Sequence, residues 1–316
     1  MLEAALIASR LLHYTASIVL FGASLFPFYA TPKGQGPKFL LRFFDTTRFA
    51  AAIAVLVSGI LLFVCTIATM SGTPAGIFDQ DILWSVFTDM DYGGVWLARM
   101  VMAILLLGVI RTPFVPPESS HREAAAAVLS AILLVTLTAV GHAQADDGIA
   151  SSIHWGANGV HLLAAGAWLG GLLPLGFALT TEISAVETSH EKTHGVDIED
   201  ILLRFSGMGY GAVSLLVASG LVNSWFLVGS LSRLVGTHYG QLLLVKLGFF
   251  GATLTLAVLN RFWLLPSLLQ TRESEARILW LKRLRRHVIG EQILGFVILF
   301  IVSLLGTMQP AIEALD

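Results

Sequence analysis

The chain has 316 residues, of which 55% are hydrophobic and only 13% are charged, and this composition excludes an ordinary soluble globular protein. The formal net charge of −2 provides no basic surface, so a nucleic-acid-binding function is excluded as well. The single cysteine, Cys65, supports neither an internal disulfide nor a paired-cysteine metal site. Together these features indicate an integral membrane protein in contact with the lipid bilayer.

Eight apolar runs are long enough to cross a bilayer, which requires about 20 residues in a helix. The pattern predicts an all-α, polytopic membrane protein, in which a bundle of eight transmembrane helices forms a single membrane domain over residues 1–316. The first run begins almost at Met1 without a small-residue cleavage site, so we expect a retained helix and not a signal peptide. The predicted spans are residues 8–29, 49–70, 95–115, 124–141, 153–180, 208–228, 241–266 and 289–308.

The loops between these runs differ in charge. Basic side chains are concentrated in the odd-numbered loops, most of all in the seventh, which contains Arg272, Arg277, Lys282, Arg283, Arg285 and Arg286. The second and fourth loops contain acidic side chains but neither Lys nor Arg. Because cytoplasmic loops carry the excess of Lys and Arg, the pattern predicts odd loops in the cytoplasm and both termini in the periplasm.

The fifth run, IHWGANGVHLLAAGAWLGGLLPLG, carries two histidines in an otherwise apolar stretch. At 3.6 residues per turn, His154, Asn158 and His161 fall on one helix face. The predicted topology places His13 and His142 at the same outer end, and the short fourth loop brings His142 close to His154. Ionisable side chains at membrane depth are costly, so these four histidines are the predicted metal ligands. The alternative is that they only form hydrogen bonds with neighbouring helices.

Most of the methionines are also predicted near the outer face: Met70, Met90, Met100, Met102 and Met308. Imidazole nitrogens and thioethers suit copper in either oxidation state, Cu⁺ or Cu²⁺, better than they suit magnesium or calcium, although these ligand types do not exclude zinc. Methionine is equally a common filler of apolar helices, so core packing is the alternative for this group.

Other polar side chains have structural interpretations. Arg99 and Lys246 are expected to pair with outer carboxylates or to reach the interface with their long stems. A second group, near the predicted cytoplasmic end, is expected to form an interfacial hydrogen-bonded cluster and not an inner gate: Asn260, Arg261, Glu291 and Gln292.

One motif points to a different chemistry. The segment from His190 to His194 reads H-E-x-x-H, in which two histidines of a zinc metalloprotease bind the metal and Glu191 activates water. The surrounding segment VETSHEKTHGVDIED is polar and has no apolar periodic face that would hold such a helix. A membrane metalloprotease is therefore only a remote alternative, and we expect the protein not to be an enzyme.

Four segments carry a family resemblance: RLLHYTASIVLFGASLF around His13, GHAQA at His142, GVHLLAAGAWLGGLLPL from Gly159, and LLLVKLGFFGATLTLAVLNRFWLLP from Leu242. In these segments the sequence resembles the copper resistance protein D (CopD/PcoD) family of bacterial inner-membrane proteins. It implies copper capture on the periplasmic side, copper import and copper resistance, with His13, His142, His154 and His161 as the ligands. It also implies a CopC-type periplasmic copper-binding partner, which we expect to be a separate chain.

A membrane cytochrome is the main alternative, because paired histidines on adjacent helices also ligate haem. The short fourth loop argues against it, since histidines held so close together suit a small ion better than a macrocycle. The loops contain no nucleotide-binding motif, so we expect any transport to be downhill, ion-coupled or driven by the membrane potential.

Overall fold

The computed structural model describes residues 1–30, 38–111, 119–140, 148–189, 197–271 and 273–313. Within these residues the chain forms eleven α-helices and no strand. The helices are α1 (Leu2–Ala30), α2 (Lys38–Ser71), α3 (Gln80–Thr88), α4 (Asp91–Arg111), α5 (Ser120–Val135), α6 (Gly148–Ser189), α7 (Ile198–Val228), α8 (Leu231–Gly236), α9 (His238–Leu259), α10 (Leu265–Gln270) and α11 (Ser274–Leu305).

Eight helical segments in the described part of the chain are long and apolar enough to cross a membrane, which confirms the predicted all-α, eight-span fold. They are Leu2–Ala30, Leu40–Ser71, Asp91–Arg111, Ser120–Ala139, Ile149–Glu187, Ile198–Val228, His238–Gln270 and Ser274–Leu305. The seventh of these is continuous through a π-helical turn, Asn260–Leu264, that joins α9 to α10.

Several helices extend beyond the apolar runs into the basic loops. Helix α11 begins at Ser274, so most of the charged seventh loop is helical. These polar extensions are held by ion pairs between helices. Arg277 of α11 pairs with Glu182 of α6 at 3.3 Å, and Arg48 of α2 lies 3.6 Å from Glu123 of α5. Hydropathy predicts only the part of a helix that crosses the bilayer. Ion pairs between neighbouring helices stabilise the helix beyond that part.

Helices α1 and α6 meet at the centre of the bundle with almost no side chain between them. A Cβ atom added to Gly22 of α1 would lie 2.2 Å from the carbonyl carbon of Gly170 of α6. Helices α1 and α6 contain the first and the fifth of the membrane-length segments, so the chain crosses in the same direction in both and the two helices are parallel. Gly22 meets Gly170, and Tyr29, further along α1, meets Gly171. We call the end of the bundle where α1 and α6 begin the amino end, and the opposite end the far end.

The helices pack as two groups around this contact. Helices α1, α2, α4 and α5 share a buried core of Ala16, Leu20, Ala51, Ala52, Val55, Ala103, Leu106, Ile110, Ala126 and Leu133. Helices α7, α9 and α11 share another that includes Val228, Tyr239, Leu243, Ile301 and Leu305. The largest core joins α6, α7, α10 and α11 to the far ends of α1 and α2, through side chains that include Trp168 and Phe26. Each half of the chain is thus a four-span group, and α1 and α6 are the seam.

Candidate functional site

His13 lies in the N-terminal half of the chain with both ring nitrogens in contact with neighbouring helices. The side chain is 1% exposed, and its Nδ1 lies 2.8 Å from Oγ of Ser58 on α2. Its Nε2 contacts the guanidinium of Arg99 on α4. A guanidinium has only N–H donors, so Nε2 accepts and Nδ1 carries the proton that is donated to Ser58. The Ser58 hydroxyl passes the chain on by donating to the carbonyl of Val55 at 3.2 Å. His13 is therefore a neutral imidazole in a fixed tautomer.

The sequence predicted that Arg99 pairs with an outer carboxylate, but the structure shows a different contact. Arg99 is 4% exposed, and no carboxylate in the described residues forms an ion pair with it. The nearest acidic residue of its own helix, Asp91, lies two turns away at the start of α4. Trp96, about one turn before Arg99, joins α4 to α2 by donating its Nε1–H to the Gly59 carbonyl at 2.9 Å.

Met100 brings a thioether beside the same histidine. A Cβ atom placed on Gly59 would lie 3.2 Å from Sδ of Met100 and 3.4 Å from Cε1 of His13, so both groups adjoin one point above this glycine. Among the predicted outer methionines, Met70 and Met90 are exposed whereas Met100 is buried. The structure therefore distinguishes one methionine next to an imidazole from others that face outward.

His161 makes the same kind of contact in the C-terminal half. Its Nδ1 lies 3.0 Å from Oγ of Ser219 on α7, and that hydroxyl donates to the carbonyl of Leu215 at 2.5 Å. Since the hydroxyl proton is used there, Ser219 accepts from Nδ1–H, and the lone pair of His161 is on Nε2. Lys246 of α9 is close enough to His161 to interact with it electrostatically. No carboxylate in the described ranges forms an ion pair with Lys246.

His154 lies two turns nearer the amino end on the same face of α6. It is 3% exposed and stacks on Phe226 of α7, with ring centroids 4.7 Å apart and planes at 5°. Between Phe226 and Ser219 on α7 lies Asn223, whose Oδ1 is buried without a hydrogen-bond partner among the described residues. Sequence reasoning missed Asn223. Its signal was its spacing of one helical turn from Ser219, which places it on the face that meets the predicted histidine stripe.

The four predicted ligands are thus distributed over different neighbours. His13 contacts α2 and α4, whereas His154 and His161 both face α7. His142 lies outside the described residues, as does the His190–His194 motif. Within the described part of the chain, no group of three or more His, Cys, Asp or Glu side chains is close enough to hold a metal ion.

The second predicted polar group forms hydrogen bonds deeper in the C-terminal half. Asn260, in the π-helical turn, donates its Nδ2–H to Oε1 of Glu291 at 2.7 Å, and Glu291 is 2% exposed. Gln292 instead donates to the Leu172 carbonyl of α6 at 2.9 Å. Arg261 lies 3.3 Å from the hydroxyl of Tyr210. The predicted hydrogen bonding is confirmed, but it is one buried pair with two separate contacts beside it.

Comparison with known proteins gives a consistent result along the chain. The family model described as copper resistance protein D-like, N-terminal domain, matches residues 1–152, and the model described as copper resistance protein D matches residues 199–305. The chain is 29% identical over 305 residues to inner membrane protein YebZ of Escherichia coli K12, covering 96% of this chain and 98% of that protein. It is also 29% identical over 309 residues to copper resistance protein D of Pseudomonas syringae pv. tomato, covering 98% and 97%.

A more distant relative is the copper transport protein CutJ of Bacillus subtilis, which is 28% identical over 262 residues. The match covers 80% of this chain but 45% of that longer protein. No solved structure matches the chain.

Proposed function

Because the chain belongs to the copper resistance protein D family and is a multi-pass inner membrane protein, we propose that it binds copper ions at the amino end of the bundle and imports them across the bacterial inner membrane. Family membership confirms the resemblance drawn from the residues around His13 and from Gly159 onward. By the loop-charge prediction, the amino end faces the periplasm, so capture takes place there and serves copper resistance or homeostasis.

The observation that carries this proposal is the state of the buried imidazoles. Copper binds a neutral imidazole through a nitrogen lone pair, and a hydrogen bond at the other nitrogen fixes the ring and raises its basicity. His161 meets both conditions, because Ser219 holds Nδ1–H and leaves the lone pair on Nε2. An imidazole with a directed lone pair inside an apolar span is a costly arrangement for a purely structural residue in lipid.

The residues around His161 extend the proposed site toward the amino end. His154 lies on the same face of α6. The Oδ1 of Asn223, which has no hydrogen-bond partner among the described residues, adds an acceptor on α7 between the positions of His154 and His161. His142 is the further proposed ligand, supplied by the short connection between α5 and α6. His13, on α1, is the proposed ligand of the N-terminal half, with Met100 beside it.

Transport then requires a path from His161 toward the far end. Gln292 meets Leu172 of α6, so the neighbouring Glu291 lies deeper along α6 than His161 does. The Asn260–Glu291 pair is a buried polar group on that path. No ATP-binding motif is present in the sequence, and a membrane potential that favours inward cation movement by about 2.3 kcal/mol per charge per 100 mV is the proposed driving force.

The test is copper content after single substitutions in the full chain, purified in lipid nanodiscs and counted by elemental analysis. His161→Ala should lower copper affinity by roughly tenfold to a hundredfold, as loss of a ligand or its support usually does. His121→Ala is the matched control, because His121 is exposed on α5 at the far end. Unchanged copper binding in both His154→Ala and His161→Ala would refute the proposed site. A Soret absorption band in the purified wild-type protein would indicate bound haem, and it would support the membrane cytochrome in place of the copper protein.

Two finer features complete the proposal. Electron paramagnetic resonance of the loaded protein distinguishes Cu²⁺, which gives a signal, from silent Cu⁺. A separate CopC-type periplasmic protein is the proposed copper donor, and pull-down of such a chain by the copper-free protein tests it.

A further inference from the structure

Three short sequence patterns recur in the same order in the two halves of the chain. The pattern His-x₂-Ala-x₅-Gly runs from His13 to Gly22 in α1 and again from His161 to Gly170 in α6. The remaining two patterns are Ser-Gly at Ser58 in α2 and Ser219 in α7, and Tyr-Gly-x₅-cation from Tyr92 to Arg99 in α4 and from Tyr239 to Lys246 in α9. In each half, the first pattern thus lies on the first span, the second pattern on the second span and the third pattern on the third span.

The residues of the patterns also make the same contacts. Nδ1 lies 2.8 Å from the serine Oγ at His13 and 3.0 Å from it at His161. The glycine after each serine makes room for the ring. A Cβ atom on Gly59 would lie 3.4 Å from Cε1 of His13, and one on Gly220 would lie 3.5 Å from Cε1 of His161. At the third span, the Arg99 guanidinium contacts Nε2 of His13, whereas Lys246 is close enough to His161 to act on it electrostatically.

The packing of the halves agrees with a duplication. Gly22 and Gly170 hold the same place in the repeated pattern, and they contact each other across the parallel helices α1 and α6. Equivalent residues meet in this way at a twofold axis. Four spans return the chain to the side on which it started, so two such units have the same orientation and are related by an axis along the membrane normal. His13 and His161 therefore lie at the same depth.

We infer that the chain is a tandem duplication of a four-span unit, and that each unit binds one copper ion, at Nε2 of His13 in the first and at Nε2 of His161 in the second. This inference rests on the proposed copper function and deepens it: the protein takes two ions at equivalent sites and not one ion in a shared four-histidine cluster. The serine of each unit fixes the tautomer that presents Nε2.

The side chains near the proposed histidine ligand differ between the units. Met100 adjoins His13, whereas the equivalent position beside Lys246 is Leu247. His154 lies two turns from His161, about 10 Å along the axis of α6 and too far to bind the same ion, and the equivalent position in α1 is Leu6. Since thioethers select Cu⁺ more strongly than imidazoles do, the first site is the softer one.

Arg99 and Lys246 are positioning residues in this scheme. The Arg99 guanidinium contacts Nε2 of His13, so an ion that binds this nitrogen displaces it. Arginine and lysine both have flexible stems that allow this movement. The duplication also provides a conservative exchange: Arg99→Lys places in the first unit the cation that the second unit already has.

The experiment is an anaerobic Cu⁺ titration of the full chain in nanodiscs against a chelator of known affinity, with bound copper counted per protein. Wild type should bind two ions, and His13→Gln and His161→Gln should each bind one. Glutamine can still donate to the serine but has no ring nitrogen, so it preserves the packing better than alanine. The double variant should bind none, and Arg99→Lys and the control His121→Ala should each bind two.

A second readout needs no copper. In ¹⁵N spectra of histidine-labelled, metal-free protein, both His13→Gln and His161→Gln should remove a signal from an Nδ1–H tautomer. Wild type that binds a single ion, or one substitution that abolishes all binding, would overturn the twin sites and leave copper binding intact. Wild type that binds no copper would instead refute the proposed function itself, so the two failures are distinguishable.

Discussion

The contact between α1 and α6 makes a sharp prediction about stability. A Cβ atom on Gly170 would lie 2.2 Å from the Ile18 carbonyl oxygen and 2.9 Å from Cα of Gly22. Both obstacles are backbone atoms of α1, so no side-chain rotation relieves them. Gly170→Ala therefore forces the two central helices apart by roughly 1 Å, the difference from an ordinary van der Waals contact in a close-packed interior.

The size of the effect follows from what this interface holds. Overpacking a close-packed interior costs about 1–3 kcal/mol, and a backbone contact at the seam of the two four-span groups places Gly170→Ala at the upper end of that range. A loss of about 3 kcal/mol corresponds to a fall in the unfolding midpoint on the order of 5–10 °C for a chain of this size class. Gly22→Ala should behave alike, because its Cβ would lie 2.2 Å from the carbonyl carbon of Gly170.

The assay is thermal unfolding in detergent, followed by the fluorescence of the seven tryptophans. Gly248→Ala is the matched control. It is a helical glycine of α9 with nothing within 4 Å of the added Cβ, so alanine should be neutral or slightly stabilising through its higher helix propensity. A midpoint for Gly170→Ala within 1 °C of that control would refute the close approach of α1 and α6.

Three further predictions concern topology and chemistry. Reporter fusions after Thr73 should indicate the periplasm and fusions near Arg283 the cytoplasm, and the reverse result would contradict the orientation drawn from loop charge. Glu191→Gln should leave copper resistance and protein abundance unchanged, whereas a clear loss of resistance would support a hydrolase. Glu291→Gln keeps the size of a buried side chain and its hydrogen bond from Asn260, so it should preserve the unfolding midpoint while slowing copper uptake into vesicles. Unchanged uptake would exclude this pair from the path.

The eight spans were predictable because bilayer crossing requires long apolar helices, and nothing else in the sequence competes with that signal. The positions of the helix ends were not. Helix α11 begins at Ser274, within a charged segment, because Arg277 finds Glu182 and Glu199 on neighbouring helices. Such pairing depends on which helices are neighbours, and hydropathy carries no information about that.

The burial of the histidines was predictable for a related reason. A buried imidazole is conspicuous in an apolar run, and His13, His154 and His161 are indeed buried or partly buried. Their partners were not conspicuous, because Ser58 and Ser219 look like the small residues that any membrane helix contains. The recurring patterns around them were present in the sequence, but their meaning depends on the matching hydrogen bonds that the fold reveals.

The prediction for Arg99 was wrong, although its physical grounds are sound elsewhere. A long basic side chain near a membrane surface usually snorkels or pairs with an acid. Arg99 does neither in the described structure, since it is buried and its guanidinium contacts His13. The contact of Trp96 with α2 fixes the rotation of α4, and rotation about a helix axis is the quantity that an apolar sequence specifies least.

The placement of a cation beside each proposed ligand has a consequence for copper handling. A monovalent ion bound at Nε2 about 5 Å from a guanidinium is repelled by about 3 kcal/mol at an effective dielectric constant near 20. That repulsion corresponds to a loss of affinity of about a hundredfold. On the twin-site inference, Arg99 and Lys246 therefore keep both sites empty at low copper and let them fill when copper is abundant. Under the proposed import function, a threshold of this kind restricts copper uptake to conditions in which copper is abundant.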